Sequence, residues 1–224
     1  MIRFEEIKGF AFDLDGVIAD TARFHEEAWH QTADTVGTIW TDELAEALKG
    51  ISRMDSLEMI LAHGQHPQKY SLVEKEQLAD EKNINYQKLI ATLTPADILP
   101  GMLEFIESAH AAGYQMAVAS ASKNAPMILE HLGLIQYFEG IVDPSTLQAG
   151  KPNPEIFVRA AEILHLTPEQ VIGLEDSSAG IEAINAAGEL SLGIGSVDVL
   201  SAAELNFVDT KEVTLTAIQQ KMNA

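Results

Sequence analysis

The sequence predicts an α/β protein: a doubly wound parallel sheet with an α-helical domain inserted after its first strand. Three observations carry this expectation. A short apolar run beginning Gly9-Phe10-Ala11-Phe12 ends in Asp13-Leu14-Asp15 and a strand-breaking Gly16. Residues 20 to about 92 then show helical periodicity throughout. From Pro95 onward, short apolar runs alternate with helical ones, the pattern of a parallel sheet covered on both faces.

In the inserted block, apolar residues recur at helical spacing in Ala22 to Val36, Leu44 to Leu48, Leu57 to Leu61 and Leu72 to Leu93. Gly37, Gly50, Gly64 and Pro67 punctuate these helices. Ser52 is placed to cap the third, and Ser71 the fourth, where Glu74 completes a capping box. Beyond Pro95 the order is a helix Met102 to Ala112 stopped by Gly113, a strand Gln115 to Ser120, and a helix Ala125 to Leu132 stopped by Gly133. A short strand Gly140 to Val142, a helix Pro154 to Leu164 and a strand Val171 to Leu174 follow. A helix Ala179 to Ala187 and a strand Leu190 to Ile194 complete the alternation. The division expected is a Rossmann-like catalytic core from residues 1–18 and 93–224, with a helical cap at 19–92 joined by two hinge-like crossings.

Composition bounds the partners. Fourteen basic against 34 acidic residues give a net charge of −20, which disfavours nucleic acid and anionic membrane, both held through Lys and Arg. The absence of cysteine excludes disulfides, thiolate metal sites and thiol nucleophiles. No apolar run approaches the roughly 20 residues of a membrane span, and the N-terminus lacks the basic and apolar regions of a secretory signal. A soluble cytoplasmic monomer is the simplest expectation.

In such sheets ligands bind beyond the carboxyl ends of the strands. Asp13 and Asp15, Ser120, and Glu175-Asp176 all fall at expected strand ends, and Lys151 lies in a loop leading into a helix. Two like charges on one flat strand would be costly unless a cation or a shared proton relieved them.

These residues, in this order, resemble the haloacid dehalogenase superfamily of phosphotransferases, through Asp13-Leu14-Asp15-Gly16-Val17, Ser120, Lys151-Pro152 and Glu175-Asp176. The match spans essentially the whole chain. Within that superfamily, Leu48 to Arg53, Ala119 to Asn124 and Gly173 to Ser177 look like the β-phosphoglucomutase family. Gly150 before the lysine, where some members have serine, is a minor departure.

The resemblance implies Asp13 as the nucleophile that forms an aspartyl phosphate, and Asp15 as general acid and base. It implies one Mg²⁺ held by Asp13, Asp176, Glu175 and the backbone carbonyl of Asp15, with Glu175 alternatively one shell back. Lys151 would offset charge at the transferring group. Ser120 and the Ala121 N–H would bind its oxygens. Arg53, with Lys49, Gly50, Ile51, Ser52 and Ser56 from the cap and Ser122, Lys123 and Asn124 from the core, would hold the substrate and its second phosphate.

Thr21, His25 and Trp29 share one helix face; by family analogy it meets the core, with His25 near Lys82, although ordinary helix packing would place them equally well. His30, His63, His66, His110, His131 and His165 show no metal-ligand spacing. The activity implied is interconversion of β-D-glucose 1-phosphate and β-D-glucose 6-phosphate through β-D-glucose 1,6-bisphosphate. The alternatives are a sugar-phosphate phosphatase on the same core and, from another class, a receiver-like phospho-aspartate signalling domain.

Overall fold

The computed structural model describes residues 2–64 and 70–223; Pro67 and His66 lie outside the described residues. Six parallel strands run in the order β3-β2-β1-β4-β5-β6. They are β1 (Gly9–Phe12), β2 (Gln115–Val118), β3 (Gly140–Ile141), β4 (Val171–Glu175), β5 (Leu190–Ile194) and β6 (Leu205–Phe207). The cap helices are α1 (Ala22–Val36), α2 (Asp42–Ala47), α3 (Arg53–Ala62) and α4 (Leu72–Ile90). The helices that follow are α5 (Met102–Ala111), α6 (Ala125–Leu132), α7 (Glu155–Ile163), α8 (Ser178–Ala187) and α9 (Leu215–Met222).

Side-chain alternation along β1 builds the two faces of the sheet. Phe10 and Phe12 pack on one side with Phe105 of α5, ring centroids 5.2 and 6.0 Å away. Ala11 turns to the other side and packs with Phe157 and Ala160 of α7. Small residues at Ala11, Ala117 and Ala119 let α7 and α8 lie close to the sheet.

Register sets the site. Phe12 is level with Val118 on one side and Leu174 on the other, so β1, β2 and β4 end at a common edge. Asp13 N donates to Leu174 O at 3.0 Å, and Ala119 N to Phe12 O at 2.7 Å. The second strand ends at Val118 rather than Ser120, so Ser120 stands in the loop beyond it. β6 and α9 have no counterpart in the sequence reading. A three-residue strand is too short to display a period of two.

The cap has its own apolar centre in Trp29, Ala33, Leu44, Leu57, Ile60 and Leu61. Ser52 Oγ accepts from Asp55 N at 3.2 Å, and Ser71 and Glu74 form the anticipated capping box. The end of α4 does not stay in the cap. Tyr86 and Ile90, both fully buried, join the cluster built around Phe10 and Phe12.

Glu189, just before β5, is 3 % exposed, and neither carboxylate oxygen has a hydrogen-bond partner among the described residues. Burial holds its carboxyl well above the usual range. The folded state therefore keeps a proton that the unfolded chain has lost, and stability falls as pH rises above the ordinary glutamate value. Glu189→Gln, a neutral isostere, should raise the melting temperature at pH 8 by about 2–4 °C, the shift expected for 1 kcal/mol in a chain of this size. The gain should vanish near pH 4. An equal effect at both pH values would show that Glu189 is not protonated in the fold.

Candidate active site

The ends of β1 and β4 bring Asp13, Glu175 and Asp176 together, with one oxygen from each within 4.8 Å of the others. Lys151 enters this acidic group from the loop before α7. Its Nζ donates to Asp13 Oδ1 at 2.7 Å and to Glu175 Oε1 at 2.5 Å, and its side chain is wholly buried. Burial alone would lower the ammonium pKa; the two carboxylates outweigh it and hold it above its ordinary value. One ammonium does not balance three carboxylates. Burial pushes Asp13 up to about 8, with Lys151 opposing the shift, and pushes Asp176 well above the normal range.

The oxygens divide into two kinds. Glu175 Oε2 accepts from Asp176 N, Ser177 N and Ser177 Oγ, each at 2.9 Å, while Oε1 takes the lysine. Asp13 Oδ2 and both Asp176 carboxylate oxygens accept no hydrogen bond among the described residues. An all-oxygen, net-negative set with unengaged oxygens on two aspartates fits a hard divalent cation. Glu175 belongs to the same group and also orients Lys151 and the loop that carries Asp176.

Gly16 is required twice. Its φ is +81°, which L side chains disfavour, and a Cβ there would lie 2.2 Å from Asp176 Oδ2. Gly16→Ala should push Asp176 out of place and cut turnover at least a hundredfold, measured with saturating substrate. Turnover within threefold of the parent would mean that the Asp176 position is not critical.

Asp15 does not continue the strand. Its Oδ1 accepts from Thr21 Oγ1 at 2.6 Å and from Tyr86 O–H at 3.3 Å, and His25 Nε2 lies 3.6 Å away. Burial raises its pKa, and the Thr21 hydrogen bond opposes that rise. The expected approach of His25 to Lys82 is present, with Lys82 Nζ donating to His25 Nδ1 at 2.7 Å. Lys82 Nζ also sits 4.6 Å above the Trp29 ring. Burial brings this ammonium down to about 7 and, with Lys82 as neighbour, keeps His25 neutral. Thr21, His25 and Trp29 thus serve one polar assembly, and Tyr86, whose ring centroid lies 3.9 Å from that of His25 with the planes tilted by 31°, is a member the sequence reading missed.

Asp13 and Asp15 open onto a cavity of about 760 Å³ between cap and core. Its cap wall includes His25, Trp29, Lys49, Gly50, Ile51, Ser52, Arg53, Ser56 and Lys82; its core wall includes Ala121, Ser122, Lys123, Asn124 and Asp176. Thr21, Ser120, Lys151 and Glu175, by contrast, stand behind the wall. Ser120 is fully buried, its Oγ accepting from Ser122 N at 3.1 Å and so shaping the loop. Lys49 pairs with Glu46 at 2.7 Å. The loop Gly50 to Arg53 lies on the core. A Cβ at Gly50, whose φ is +72°, would strike Ser177 Oγ at 2.4 Å, and one at Gly150 would approach Ser52 Cβ at 3.3 Å. Asp80, Asn83 and Trp40 also line the cavity and were not anticipated. Asp80, Asn83 and Tyr86 lie on α4 around Lys82, so helical proximity was their signal; Trp40, between α1 and α2, offered none.

The haloacid dehalogenase-like hydrolase family model matches residues 7–188. The chain belongs to that family. This haloacid dehalogenase-like chain is 41% identical over 215 residues to β-phosphoglucomutase from Bacillus subtilis, covering 96% of the chain and 95% of that protein. A crystal structure of β-phosphoglucomutase from Clostridium difficile superimposes with a TM-score of 0.93 at 42% identity, covering 97% of each chain. A phosphatase of phosphorylated carbohydrates from Thermotoga maritima is 29% identical, covering 79% of this chain and 80% of that one. The family match takes in β1 to β4 and the whole cap. No helix among the described residues is long and apolar enough to cross a membrane.

Proposed function

We propose that the chain is a Mg²⁺-dependent β-phosphoglucomutase that interconverts β-D-glucose 1-phosphate and β-D-glucose 6-phosphate through β-D-glucose 1,6-bisphosphate. The observation that carries this reading is a two-ended cavity. Asp13 and Asp15 open onto the same space as Arg53, Lys123 and Asn124, which come from opposite walls. A phosphatase needs only the first group, whereas a mutase must hold one phosphate while the other reacts.

In the forward half-reaction, Asp13 attacks the phosphorus of the bisphosphate and an aspartyl phosphate forms as the P–O bond to the sugar breaks. Asp15 gives its proton to the departing sugar oxygen. Glucose 6-phosphate then leaves and β-D-glucose 1-phosphate enters with its 6-hydroxyl toward Asp13; Asp15 takes that hydroxyl's proton as the phosphoryl group passes to it from Asp13, and the bisphosphate so formed turns end for end before the next transfer. Thr21 and Tyr86 hold Asp15 at Oδ1. Lys151 screens the nucleophile, and Ser120 and the Ala121 N–H would steady the transferring oxygens. Asp13, Glu175, Asp176 and the Asp15 carbonyl would hold Mg²⁺, which would supply charge neutralisation at the phosphoryl group.

The test is incubation with Mg²⁺, β-D-glucose 1-phosphate and a trace of the bisphosphate, following glucose 6-phosphate and inorganic phosphate together. Glucose 6-phosphate should accumulate with little free phosphate. Stoichiometric phosphate release without isomerisation would instead assign the chain to the sugar-phosphate phosphatases, the reading kept alive by the Thermotoga relative.

A further inference from the structure

The two halves of the distal clamp already touch a common atom. Arg53 Nη2, at the start of α3, donates to Asn83 Oδ1 at 2.9 Å, and Asn124 Nδ2, in the core loop before α6, donates to the same oxygen at 3.0 Å. Gln87, one turn on from Asn83 along α4, donates through Nε2 to Asn124 Oδ1 at 3.0 Å.

Donor chemistry fixes every orientation in this chain of bonds. A guanidinium carries five N–H donors and no acceptor, so the Asn83 atom facing Arg53 must be its carbonyl oxygen. Asn124, facing that same oxygen, must then turn its amide nitrogen inward. Its own oxygen is left for Gln87, which must present nitrogen. The result sets a cap arginine and a core amide side by side on the wall of one cavity. Asn124 is 7 % exposed, and its position is defined by α4 rather than by its own loop alone.

We infer that Asn83 is a positioning residue for the non-reacting phosphate: it aligns Arg53 and Asn124 so that one phosphate can take a donor from each. This rests on the mutase reading of the site. A neutral acceptor suits the task. Asn83 uses one N–H of Arg53 and one of Asn124, leaving four and one respectively. It also cancels none of the guanidinium charge, whereas the carboxylate of Asp80 is 3.9 Å from Arg53 and well exposed. A carboxylate in place of Asn83 would hold Arg53 as firmly but repel the phosphate it is meant to receive.

The experiment compares two reactions of the parent, Asn83→Ala and Asn83→Asp. The first is the mutase reaction with β-D-glucose 1-phosphate and a trace of bisphosphate. The second is phosphorylation of Asp13 by acetyl phosphate, which has no second phosphate to be held. Asn83→Ala should raise the KM of the mutase reaction about tenfold, the loss expected for one positioning hydrogen bond, with kcat within about threefold. Asn83→Asp should raise it further. The acetyl phosphate rate of Asn83→Ala should stay near the parent value, because that reaction never uses the clamp.

An unchanged mutase KM in Asn83→Ala would overturn the assignment. So would an equal loss in both reactions, which would mark a general structural fault. A parent that only hydrolyses sugar phosphates would overturn the mutase reading separately. The Asn83 assignment would then stand or fall on the same KM comparison made for hydrolysis of the bisphosphate.

Discussion

Asp13→Asn should form no phosphorylated protein and should lose activity on the order of 10⁴–10⁶-fold, the cost of deleting a nucleophile from an assembled site. The protein should nevertheless stay folded. The amide keeps the shape of the carboxyl, removes one of three crowded acids, and leaves Lys151 paired with Glu175 at 2.5 Å. Melting should therefore occur at or above the parent temperature in the absence of metal. Acid-quenched protein from bisphosphate labelled in the phosphoryl group, counted after precipitation, is the direct check. Label retained by Asp13→Asn at the parent level would place the nucleophile elsewhere.

Lys151→Met is expected to damage stability as well as chemistry. Among the described residues the ammonium is the only cation in contact with Asp13 and Glu175, and removing one partner of a buried ion pair costs about 3–5 kcal/mol. In a chain of this length that loss should lower the melting temperature by roughly 6–20 °C. Its pH dependence has a definite sign. The raised Lys151 pKa means that the stability it confers is complete below the ordinary lysine value and is lost only as pH climbs through the folded value. Parent and variant should thus differ across neutral pH. Added Mg²⁺ should narrow the difference, since a cation bound only by the folded state stabilises it by mass action. A variant as stable as the parent at pH 8 without Mg²⁺ would mean that the acids are not burdened with unbalanced charge.

The catalytic half of the site was legible in the sequence because it is built from local signals at strand ends. Asp13, Glu175 and Asp176 terminate short apolar runs, and a parallel sheet must bring such ends to one edge. Ser120 was placed at the end of a strand and instead lies two residues beyond Val118, inside the loop it stabilises. What the sequence could not display was pairing between distant polar residues. Asn83, Tyr86 and Gln87 look like ordinary members of a polar helix, and their roles arise only because α4 runs out of the cap and buries Tyr86 and Ile90 against Phe10 and Phe12. Glu189 is similar: nothing in its neighbourhood along the chain distinguishes a carboxyl sealed from solvent from one on the surface. The tail beyond Ile194 stayed unassigned because β6 has three residues and α9 eight.

The decisive measurement is the fate of the phosphoryl group on Asp13. The enzyme is labelled in the presence of Mg²⁺, freed of excess donor, and chased with unlabelled β-D-glucose 1-phosphate. A mutase should move most of the label into β-D-glucose 1,6-bisphosphate, and the phosphoenzyme should discharge far faster with the sugar than in buffer alone. Label appearing as inorganic phosphate, at a rate the sugar does not change, would contradict a mutase.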